Sequence, residues 1–433
     1  MSIRVRQQPM RRRCRALRTG VPLVTLALAV TGCGASVGAT ADSSRSLAAS
    51  HGARDPGAAS ASPSRGSTEA APAAASTAPS APAATCTDRY MSGMTTAQLA
   101  GQLLMGGIAA AHPDPAQLGT LRANHVGSVM LTGRSTAGTS ATRGIVDGFR
   151  GQADRVAGRQ VGLLVATDQE GGRVQVLNGP GFSAIPSGLT QGSWPTATLR
   201  TQAAGWAQQL KAAGVNLNLA PVADVVPAAL GARNIPIGSF QREYGHTADT
   251  VTSHTSAFAA GFAQAGVMTT LKHFPGLGQV IGNTDTTADV VDSVTTAGSS
   301  SLTPFRAGIR AGSPFVMISS ATYAKIDPKH LAAFSPTVID HLLRGQLGFK
   351  GVVISDDLGN AVAVRSFSPA QRAVNFIAAG GDMILTVRPS TVPAMAQAIQ
   401  TRMRQDASFR AKVNGSVRRI LDAKRSAGLL DCR

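Results

Sequence analysis

Eight short apolar runs recur between residues 103 and 385, and they constrain the fold of this chain more than any other feature. Runs of this length, bounded by turn-forming residues, are typical of buried β-strands. In chain order they are Leu103–Gly107, Val126–Leu131, Val161–Ala166, Val215–Leu219, Val267–Leu271, Phe315–Ile318, Val352–Ile354 and Met383–Leu385. Longer stretches with helical periodicity separate most of them, among them Leu199–Ala213, Ala248–Ala265, Pro336–Leu347 and Pro369–Ala379.

This alternation predicts an α/β protein. A glycine directly follows each of the four helical stretches, as expected where a helix ends. Eight strands separated by helices favour a (β/α)8, TIM-type barrel over an open, doubly wound sheet. The open sheet would show a glycine-rich phosphate loop after an early strand, and neither G-x-G-x-x-G nor G-x-x-x-x-G-K-[ST] occurs in the sequence. We expect residues 86–433 to form the barrel.

Residues 1–33 have the pattern of a bacterial lipoprotein signal peptide. Seven arginines and no acidic residue occupy positions 1–20, and the apolar run Val21–Val30 follows. That run is shorter than the ~20 residues that a membrane-spanning helix needs. It ends in Val30-Thr31-Gly32-Cys33, which resembles a lipobox in which Cys33 is lipidated. The sequence therefore predicts export, with attachment to the outer face of the membrane. An ordinary cleaved signal peptide and a secreted protein are the alternative.

Residues 34–85 consist mainly of Ala, Ser, Pro, Thr and Gly, with almost no large apolar side chain. Such a segment cannot bury enough surface to offset the entropy lost on ordering, so we predict a disordered tether. Two cysteines then remain beyond Cys14 and Cys33, namely Cys86 and Cys432. In an exported protein this pair predicts a disulfide between the ends of the folded domain, and two free thiols are the alternative.

The formal net charge is +18, but residues 1–85 carry ten of the basic residues and three of the acidic ones. The remaining +11 is compatible with anionic lipid, wall polymer or saccharide, and also with an ordinary solvated surface. Nucleic acid is not an expected partner, because aromatic residues are few and no nucleic-acid-binding motif occurs.

Polar residues follow the predicted strands at their carboxyl ends, where the active sites of such barrels are built. They include Asp168, Asp224, Lys272-His273 with the loop to Asp285, Asp356-Asp357 and Arg388. Carboxylates and cations at one rim suit a hydroxyl-rich ligand and the two-carboxylate chemistry of glycosidases. A metal site is the rival interpretation, but neither H-E-x-x-H nor H-x-H occurs, and we expect no cofactor.

Four motifs, in order and each at a strand end, resemble bacterial family 3 glycoside hydrolases of the single-barrel β-N-acetylhexosaminidase branch. They are DQEGGRVQ (168–175), LAPVADV (219–225), KHFPGLG (272–278) and GVVISDDL (351–358). The resemblance covers roughly residues 94–423 and implies a single catalytic domain. It assigns Asp356 as the nucleophile of a retaining mechanism. An N-cap role is the alternative for Asp356, although Asp357 is the better candidate for capping.

The resemblance also implies the residues that bind substrate. Asp168 matches the family's acceptor of sugar hydroxyls, and Lys272 with His273 matches its paired substrate contacts. The alternative for these residues is a buried ion pair that lines the rim. Arg173 would hold a hydroxyl or orient a carboxylate through bidentate hydrogen bonds. Arg242 matches a loop arginine of the family if a two-residue insertion is allowed. A second family arginine falls on Val176, so that contact is missing here.

The sequence departs from the family in the loop that carries the general acid/base. The family reads K-H-F-P-G-H-G and then D-S-H, with the last histidine as acid/base. Here Leu277 replaces the first loop histidine, and Asn283-Thr284-Asp285 replaces D-S-H without any gap. Three explanations compete. Asp285 is itself the acid/base, with a pKa raised by burial or by Asp356; or the site binds sugar and turns over poorly; or another group supplies the proton, although we expect no second domain to bring one.

The resemblance implies a retaining β-N-acetylhexosaminidase that removes terminal β-linked N-acetylglucosamine from cell-wall-derived or amino-sugar oligosaccharides, as in peptidoglycan turnover. The alternatives are a catalytically weak, sugar-binding or sensing lipoprotein, and a β-glucosidase or β-xylosidase of the same family. The expected partners are a carbohydrate substrate and, through the lipid anchor, the membrane. We expect the protein to be a monomer.

Overall fold

The computed structural model describes residues 84–433, and eight parallel strands form its centre. They are β1 Leu104–Ala109, β2 Ser128–Thr132, β3 Leu164–Thr167, β4 Leu217–Asn218, β5 Met268–Phe274, β6 Phe315–Ile318, β7 Val352–Ser355 and β8 Ile384–Thr386. Neighbouring strands pair in the order β7-β6-β5-β4-β3-β2-β1-β8. A parallel bridge between Ile354 and Met383 brings β7 beside β8 and closes the ring. The predicted (β/α)8 barrel is confirmed, and each strand overlaps one of the eight apolar runs.

Helices surround the strands. They are α1 Cys86–Gly93, α2 Thr96–Gln102, α3 Pro115–Ala123, α4 Gly138–Arg150, α5 Gly188–Gln191, α6 Thr196–Ala212, α7 Ala248–Ala265, α8 Thr303–Arg310, a π-type helix Thr337–Gln346, α9 Pro369–Ala378, α10 Val392–Gln405 and α11 Ala407–Ser426. The four predicted helical stretches all form. Gly266 ends α7 with a φ of 73°, a conformation that glycine adopts without steric cost.

The apolar core has two layers because each strand is covered on both faces. Inside the barrel the strands contribute a cluster that includes Met105, Met130, Phe315, Met317 and Met383. A larger cluster lies between the strands and the surrounding helices. Strands buried on both sides need nearly continuous apolar sequence, and this is why the runs were recognisable. The polar residues that follow these runs are consequently carried to one end of a rigid barrel.

The two ends of the described chain meet at the amino-terminal end of the barrel. Cys86 and Cys432 form the predicted disulfide, with their Cα atoms 5.3 Å apart. Helices α1 and α11 are also joined by a hydrogen bond from Thr87 to Asp422 of 2.7 Å. An isolated bridge pairs Val161, just before β3, with Leu430, so these contacts lie at the end of the barrel opposite the strand-end loops. The proposed signal peptide, lipidation at Cys33 and nearly all of the tether lie outside the described residues.

Short accessory elements cover the loops. Two hairpins pair Arg155–Val156 with Arg159–Gln160 and Gln169–Gly171 with Val174–Gln175. A three-stranded sheet contains Val291–Asp292, Thr322–Tyr323 and Asp327–Leu331. Short 3-10 turns include Gly231–Arg233, Gly238–Phe240, Ser300–Leu302, Ala332–Phe334, Val362–Val364 and Pro389–Thr391. No helix within residues 84–433 is long and apolar enough to cross a membrane.

Candidate active site

A cavity of about 430 Å³ opens at the carboxyl ends of the strands. This volume suits a sugar-sized ligand. Six of the predicted site residues line it. Lys272 and His273 lie in β5 itself, and Asp168, Arg242, Asp285 and Asp356 lie in the segments after β3, β4, β5 and β7. Chain segments as distant as residues 168 and 356 therefore meet at one site.

Four charged side chains form an ion cluster on one wall of the cavity. Lys272 donates to Asp168 Oδ1 at 2.6 Å, and its Nζ also lies 2.6 Å from Glu170 Oε1. Arg242 donates two parallel hydrogen bonds to Glu170, from Nε to Oε2 at 2.8 Å and from Nη2 to Oε1 at 2.7 Å. One oxygen of Asp168 accepts from Lys272, which leaves the other for a ligand hydroxyl. The cluster thus presents both hydrogen-bond donors and an acceptor to the cavity.

Glu170 and Lys272 remain charged although they are buried. Burial alone would raise the pKa of Glu170, but Arg242 and Lys272 outweigh it and hold that pKa at about 2. Burial would likewise lower the pKa of Lys272, and Asp168 and Glu170 reverse this and raise it. Mutual neutralisation therefore fixes the charges before any substrate arrives. A fixed, preorganised set of charges is what binding a polar sugar in a cavity requires.

His273 is held in one orientation by Asp224. The ring Nδ1 lies 2.8 Å from Asp224 Oδ2, and the His273 backbone N–H donates to Oδ1 at 3.2 Å. The backbone N–H of Leu277 donates to the same Oδ1 at 2.7 Å. With a proton on Nδ1, the Nε2 atom accepts from Arg242 Nη2 at 3.4 Å. Asp224, which is fully buried, therefore positions both the imidazole and the loop that follows it.

Asp356 and Asp357 follow β7 and have different roles. Asp357 accepts hydrogen bonds from the backbone N–H groups of Gly359, Asn360 and Val387 at 2.8 to 3.0 Å, and so it fixes the turn after the strand. Asp356 accepts one backbone bond, from Asp357 at 2.8 Å, and lines the cavity with its partly exposed side chain. Asp357 therefore caps the backbone N–H groups of the turn after β7. The capping alternative for Asp356 loses support.

The loop that carries Asp285 is fixed to the loop that follows β7. The backbone N–H of Val362 donates to the Asp285 carbonyl at 3.2 Å, and that of Ala363 donates to the Thr284 carbonyl at 3.0 Å. Asn283 Oδ1 accepts from the Asp285 N–H at 2.9 Å. No group of residues 84–433 forms a hydrogen bond to the Asp285 carboxylate. This carboxyl therefore lies at the mouth of the cavity with both oxygens free for a ligand.

The pKa of Asp285 is raised to about 6. Burial among the surrounding protein atoms is the largest cause, and the negative charges of Asp356 and Asp357 add to it. Arg242 and His273 act in the opposite direction and only partly offset the rise. The side chain still has exposed surface, so a substrate can reach it. A carboxyl group with a raised pKa beside a second carboxylate is the usual arrangement of an acid and a nucleophile.

The comparisons with known proteins agree with this geometry. The family model for the glycosyl hydrolase family 3 N terminal domain matches residues 95–423. A β-hexosaminidase from Xanthomonas oryzae pv. oryzae is 33% identical over 308 residues, which cover 69% of this chain and 88% of that protein. The chain belongs to glycosyl hydrolase family 3.

Two solved structures are similar to the described barrel. The crystal structure of a β-N-acetylhexosaminidase from Beutenbergia cavernae is 50% identical, with a TM-score of 0.75, and covers 77% of this chain and 99% of that one. A family 3 β-N-acetylglucosaminidase from Paenibacillus is 28% identical, with a TM-score of 0.70, over 78% of this chain and 63% of that one.

One predicted substrate residue lies elsewhere. Arg173 is exposed and does not line the cavity. Its guanidinium lies over the ring of Phe240, 5.6 Å from the centroid, and Phe240 itself forms part of the cavity wall. The hairpin after β3 turns Arg173 outward, because Gly171 and Gly172 both adopt positive φ angles just before it. Direct contact between Arg173 and a sugar is therefore not supported. The side chain supports the wall instead.

Glu170 is the site residue that the sequence analysis missed. It lies two positions after Asp168 in an extended segment, and residues two apart point to the same side of such a segment. That spacing was a usable signal, because it places the Glu170 side chain on the same side as Asp168. Glu170 therefore also faces Lys272 and Arg242. The family's second arginine falls on Val176, which is buried and whose carbonyl accepts from the Ser135 N–H.

No group of three or more His, Cys, Asp and Glu side chains within residues 84–433 is arranged to hold a metal ion.

Proposed function

We propose that this family 3 enzyme is a retaining β-N-acetylhexosaminidase that removes terminal β-linked N-acetylglucosamine from cell-wall-derived or amino-sugar oligosaccharides. The observation that carries the proposal is the pairing of Asp356 and Asp285 in one cavity, beside a cluster suited to sugar hydroxyls. The relatives named β-hexosaminidase and β-N-acetylhexosaminidase support the choice of glycone.

In the first step Asp356 attacks the anomeric carbon and forms a glycosyl ester, while the bond to the leaving oxygen breaks. Asp285, protonated at the start, gives its proton to that oxygen, so the aglycone leaves as an alcohol. In the second step Asp285 takes a proton from water, whose oxygen attacks the anomeric carbon and releases Asp356 as a carboxylate. Two inversions at one carbon retain its configuration.

The raised pKa of Asp285 suits this exchange of roles. The negative charge of Asp356 favours the protonated form of Asp285 before the first step. When Asp356 becomes a neutral ester, that source of repulsion disappears and Asp285 more readily exists as the base. The pKa of Asp285 therefore falls after the first step. The residue is then deprotonated and can act as the base that takes a proton from water.

The ion cluster binds the other side of the sugar. The free oxygen of Asp168 accepts a hydrogen bond from a sugar hydroxyl. The cations Lys272 and Arg242 donate hydrogen bonds to hydroxyl oxygens of the sugar. The Nε2 atom of His273 lies on the same wall of the cavity. These groups hold the glycone so that its anomeric carbon lies between the two carboxyl groups. Fixing this position is a large part of the catalytic effect.

Hydrolysis of 4-nitrophenyl N-acetyl-β-D-glucosaminide tests the proposal, with the corresponding glucoside and xyloside as competitors. We expect the N-acetylglucosaminide to be the preferred substrate and Asp356→Ala to abolish its turnover. Wild-type protein that binds N-acetylglucosamine but hydrolyses none of the three would instead establish the sugar-binding function. Preference for the glucoside or xyloside would overturn the choice of glycone.

We also propose that the protein is exported, anchored through a lipid on Cys33, and active as a monomer. The basic and apolar segments before Val30-Thr31-Gly32-Cys33 support export. The disulfide between Cys86 and Cys432 supports an oxidising compartment. In the native host, Cys33→Ser should move the protein from the membrane fraction to the soluble fraction. Unchanged fractionation would contradict the anchor. Sedimentation of the tether-free domain at monomer mass would test the oligomeric state.

A further inference from the structure

The acid/base loop, residues 275–290, runs from the end of β5 to the accessory strand Val291–Asp292 and carries Asp285. These sixteen residues contain three glycines and no helix or strand, so the backbone of the loop does not by itself fix its course. The position of the Asp285 carboxyl therefore depends on contacts with the rest of the barrel. The mechanism described above needs that carboxyl at a fixed place beside Asp356.

The segment that follows β6 holds the far end of the acid/base loop through backbone contacts. In the accessory three-stranded sheet, Tyr323 pairs in parallel with Asp292. The Thr322 N–H donates to the Val290 carbonyl at 2.9 Å. The Ala324 N–H donates to the Asp292 carbonyl, also at 2.9 Å. The loop therefore ends at a fixed place beside Tyr323.

The side chain of Tyr323 reaches the near end of the same loop. Its hydroxyl donates to the Gly276 carbonyl at 2.9 Å. Because the tyrosine proton is used on Gly276, the Ser319 hydroxyl donates to Tyr323 Oη, which lies 2.8 Å away. Burial raises the pKa of Tyr323 well above its usual value, so the hydroxyl remains a donor at neutral pH. One residue thus contacts the acid/base loop at both of its ends.

Tyr323 is fully buried and does not line the catalytic cavity. Within residues 84–433 its hydroxyl forms hydrogen bonds with Gly276 and Ser319 alone. A phenylalanine would fill the same apolar space, and a buried hydroxyl is costly unless it is hydrogen-bonded. The hydroxyl is therefore not needed for packing, and its contact with Gly276 is what a tyrosine adds at this position.

We infer that Tyr323 is a positioning residue for Asp285, and that it fixes the acid/base loop so that the carboxyl can deliver its proton to the leaving oxygen. The inference rests on the proposed function, because it takes Asp285 as the acid/base. Tyr323 touches no substrate and acts only through the loop. Loss of its hydroxyl should therefore matter most where the leaving group needs the proton.

Two substrates with the same glycone and different leaving groups test the inference. N,N′-diacetylchitobiose releases a sugar hydroxyl that must be protonated, whereas 2,4-dinitrophenyl N-acetyl-β-D-glucosaminide releases a stable phenolate that needs no proton. We expect Tyr323→Phe to lower kcat/KM for the disaccharide about ten- to a hundredfold, because small displacements of a catalytic group are costly. For the dinitrophenyl glycoside, kcat/KM should fall about threefold or less.

Tyr90→Phe is the matched control. Tyr90 is also a buried tyrosine, and its hydroxyl lies 3.3 Å from the Gln160 carbonyl and 3.4 Å from the Asp431 carbonyl, at the opposite end of the barrel. The control should lower Tm about as much as Tyr323→Phe and leave both values of kcat/KM unchanged. Equal losses for the two substrates in Tyr323→Phe, or losses no larger than in Tyr90→Phe, would overturn the inference and leave the proposed function intact.

Amide hydrogen exchange separates this inference from the proposed function, because it needs no turnover. Tyr323→Phe should accelerate exchange about five- to tenfold at the loop amides of Leu277 and Asp285, as expected when one anchoring hydrogen bond is lost. Tyr90→Phe should not. Faster exchange would support the anchoring role even if the wild type hydrolyses neither substrate, in which case the proposed function alone fails. Unchanged exchange at both amides would refute the role of Tyr323.

Discussion

At the scale of single residues, the proposed acid/base Asp285 stands where the family motif has a histidine. An aspartate can replace a histidine as acid only if it holds a proton near neutral pH, and an aspartate surrounded by water alone does not. Burial and the charge of Asp356 provide that shift here, to a pKa of about 6. Asn283 adds no further negative charge beside it, so the neighbourhood contains three carboxyl groups and not four. The raised pKa supports our proposal that Asp285 is the acid/base.

Asp285→Asn should lower kcat for 4-nitrophenyl N-acetyl-β-D-glucosaminide by about 10²- to 10⁴-fold, the usual contribution of acid–base catalysis, because the second step loses its base. Because Asp285 must be protonated for the first step, wild-type kcat/KM should fall as the pH rises through about 6. The variant should lose this alkaline limb, and added azide should restore turnover by attacking the glycosyl ester without a base. Wild-type activity in Asp285→Asn would rule out the assignment.

Glu170 neutralises two cations at once, and its replacement should be costly. In Glu170→Gln, Lys272 and Arg242 lose their shared carboxylate, so we expect a loss of about 3–5 kcal/mol in the free energy of unfolding at pH 7. The folded-state pKa of about 2 lies below the usual 4.5. The stabilisation by Glu170 is therefore present above pH 4.5 and is lost between pH 4.5 and 2. Denaturant unfolding of both proteins across this range measures it.

Glu243 is a control for which we expect the opposite change in stability. It is a buried neighbour whose pKa is raised, chiefly by burial, and its Oε2 has no hydrogen-bond partner within the described residues. A raised pKa makes the folded state less favourable as the pH rises. Glu243→Gln should thus be neutral or stabilising at pH 7, with the gain increasing with pH. Similar losses in Glu170→Gln and Glu243→Gln would contradict the assigned ion cluster.

At the scale of elements, backbone hydrogen bonds join the loops that follow two different strands, and these loops carry the proposed acid and the proposed nucleophile. The loop after β5 carries Asp285, and the 3-10 turn Val362–Val364 belongs to the connection after β7. Backbone hydrogen bonds from Val362 and Ala363 link them. Backbone contacts of this kind do not depend on side-chain identity, so sequence motifs carry no sign of them.

Val362→Pro removes one of these bonds and is compatible with the local backbone. Val362 is the first residue of its 3-10 turn, a position at which proline is tolerated. The preceding residue, Ala361, already has the extended conformation that proline requires. We expect kcat to fall roughly tenfold, since small displacements of a catalytic group are expensive. KM and Tm should change little. Val362→Ala keeps the N–H and should behave like the wild type. Equal kcat in the two variants would show that the bond does not position Asp285.

At the scale of the whole molecule, stability and catalysis are located at opposite ends of the barrel. The disulfide and the contacts between α1 and α11 close the amino-terminal end, whereas the cavity opens at the other. Barrel enzymes commonly divide these functions in the same way. Changes at the closed end should therefore alter unfolding without altering turnover.

Replacing both Cys86 and Cys432 with serine should lower the free energy of unfolding by about 2–5 kcal/mol, because the unfolded chain is no longer constrained. The value of kcat at 25 °C should remain unchanged. Wild-type protein kept under reducing conditions is the control and should unfold like the variant. A change in kcat with no change in stability would contradict this separation of roles.

The sequence by itself determined the barrel and most of the cavity wall. Strands buried on both faces require apolar runs such as Val352–Ile354, and helices end at glycines such as Gly266, so both are local signals. Parallel strands then bring their carboxyl ends to one rim, which is why Asp168, Lys272 and Asp356 were recognisable from spacing and motif.

The tertiary structure alone decided the charges and the directions of side chains. It raised the pKa of Asp285 through burial and through Asp356, a residue 71 positions away. It also turned Arg173 onto Phe240 and out of the cavity. It joined Glu170 to Arg242, and the Tyr323 hydroxyl to the Gly276 carbonyl. Burial and electrostatic energy depend on distances between remote segments, and no local pattern in the sequence encodes those distances.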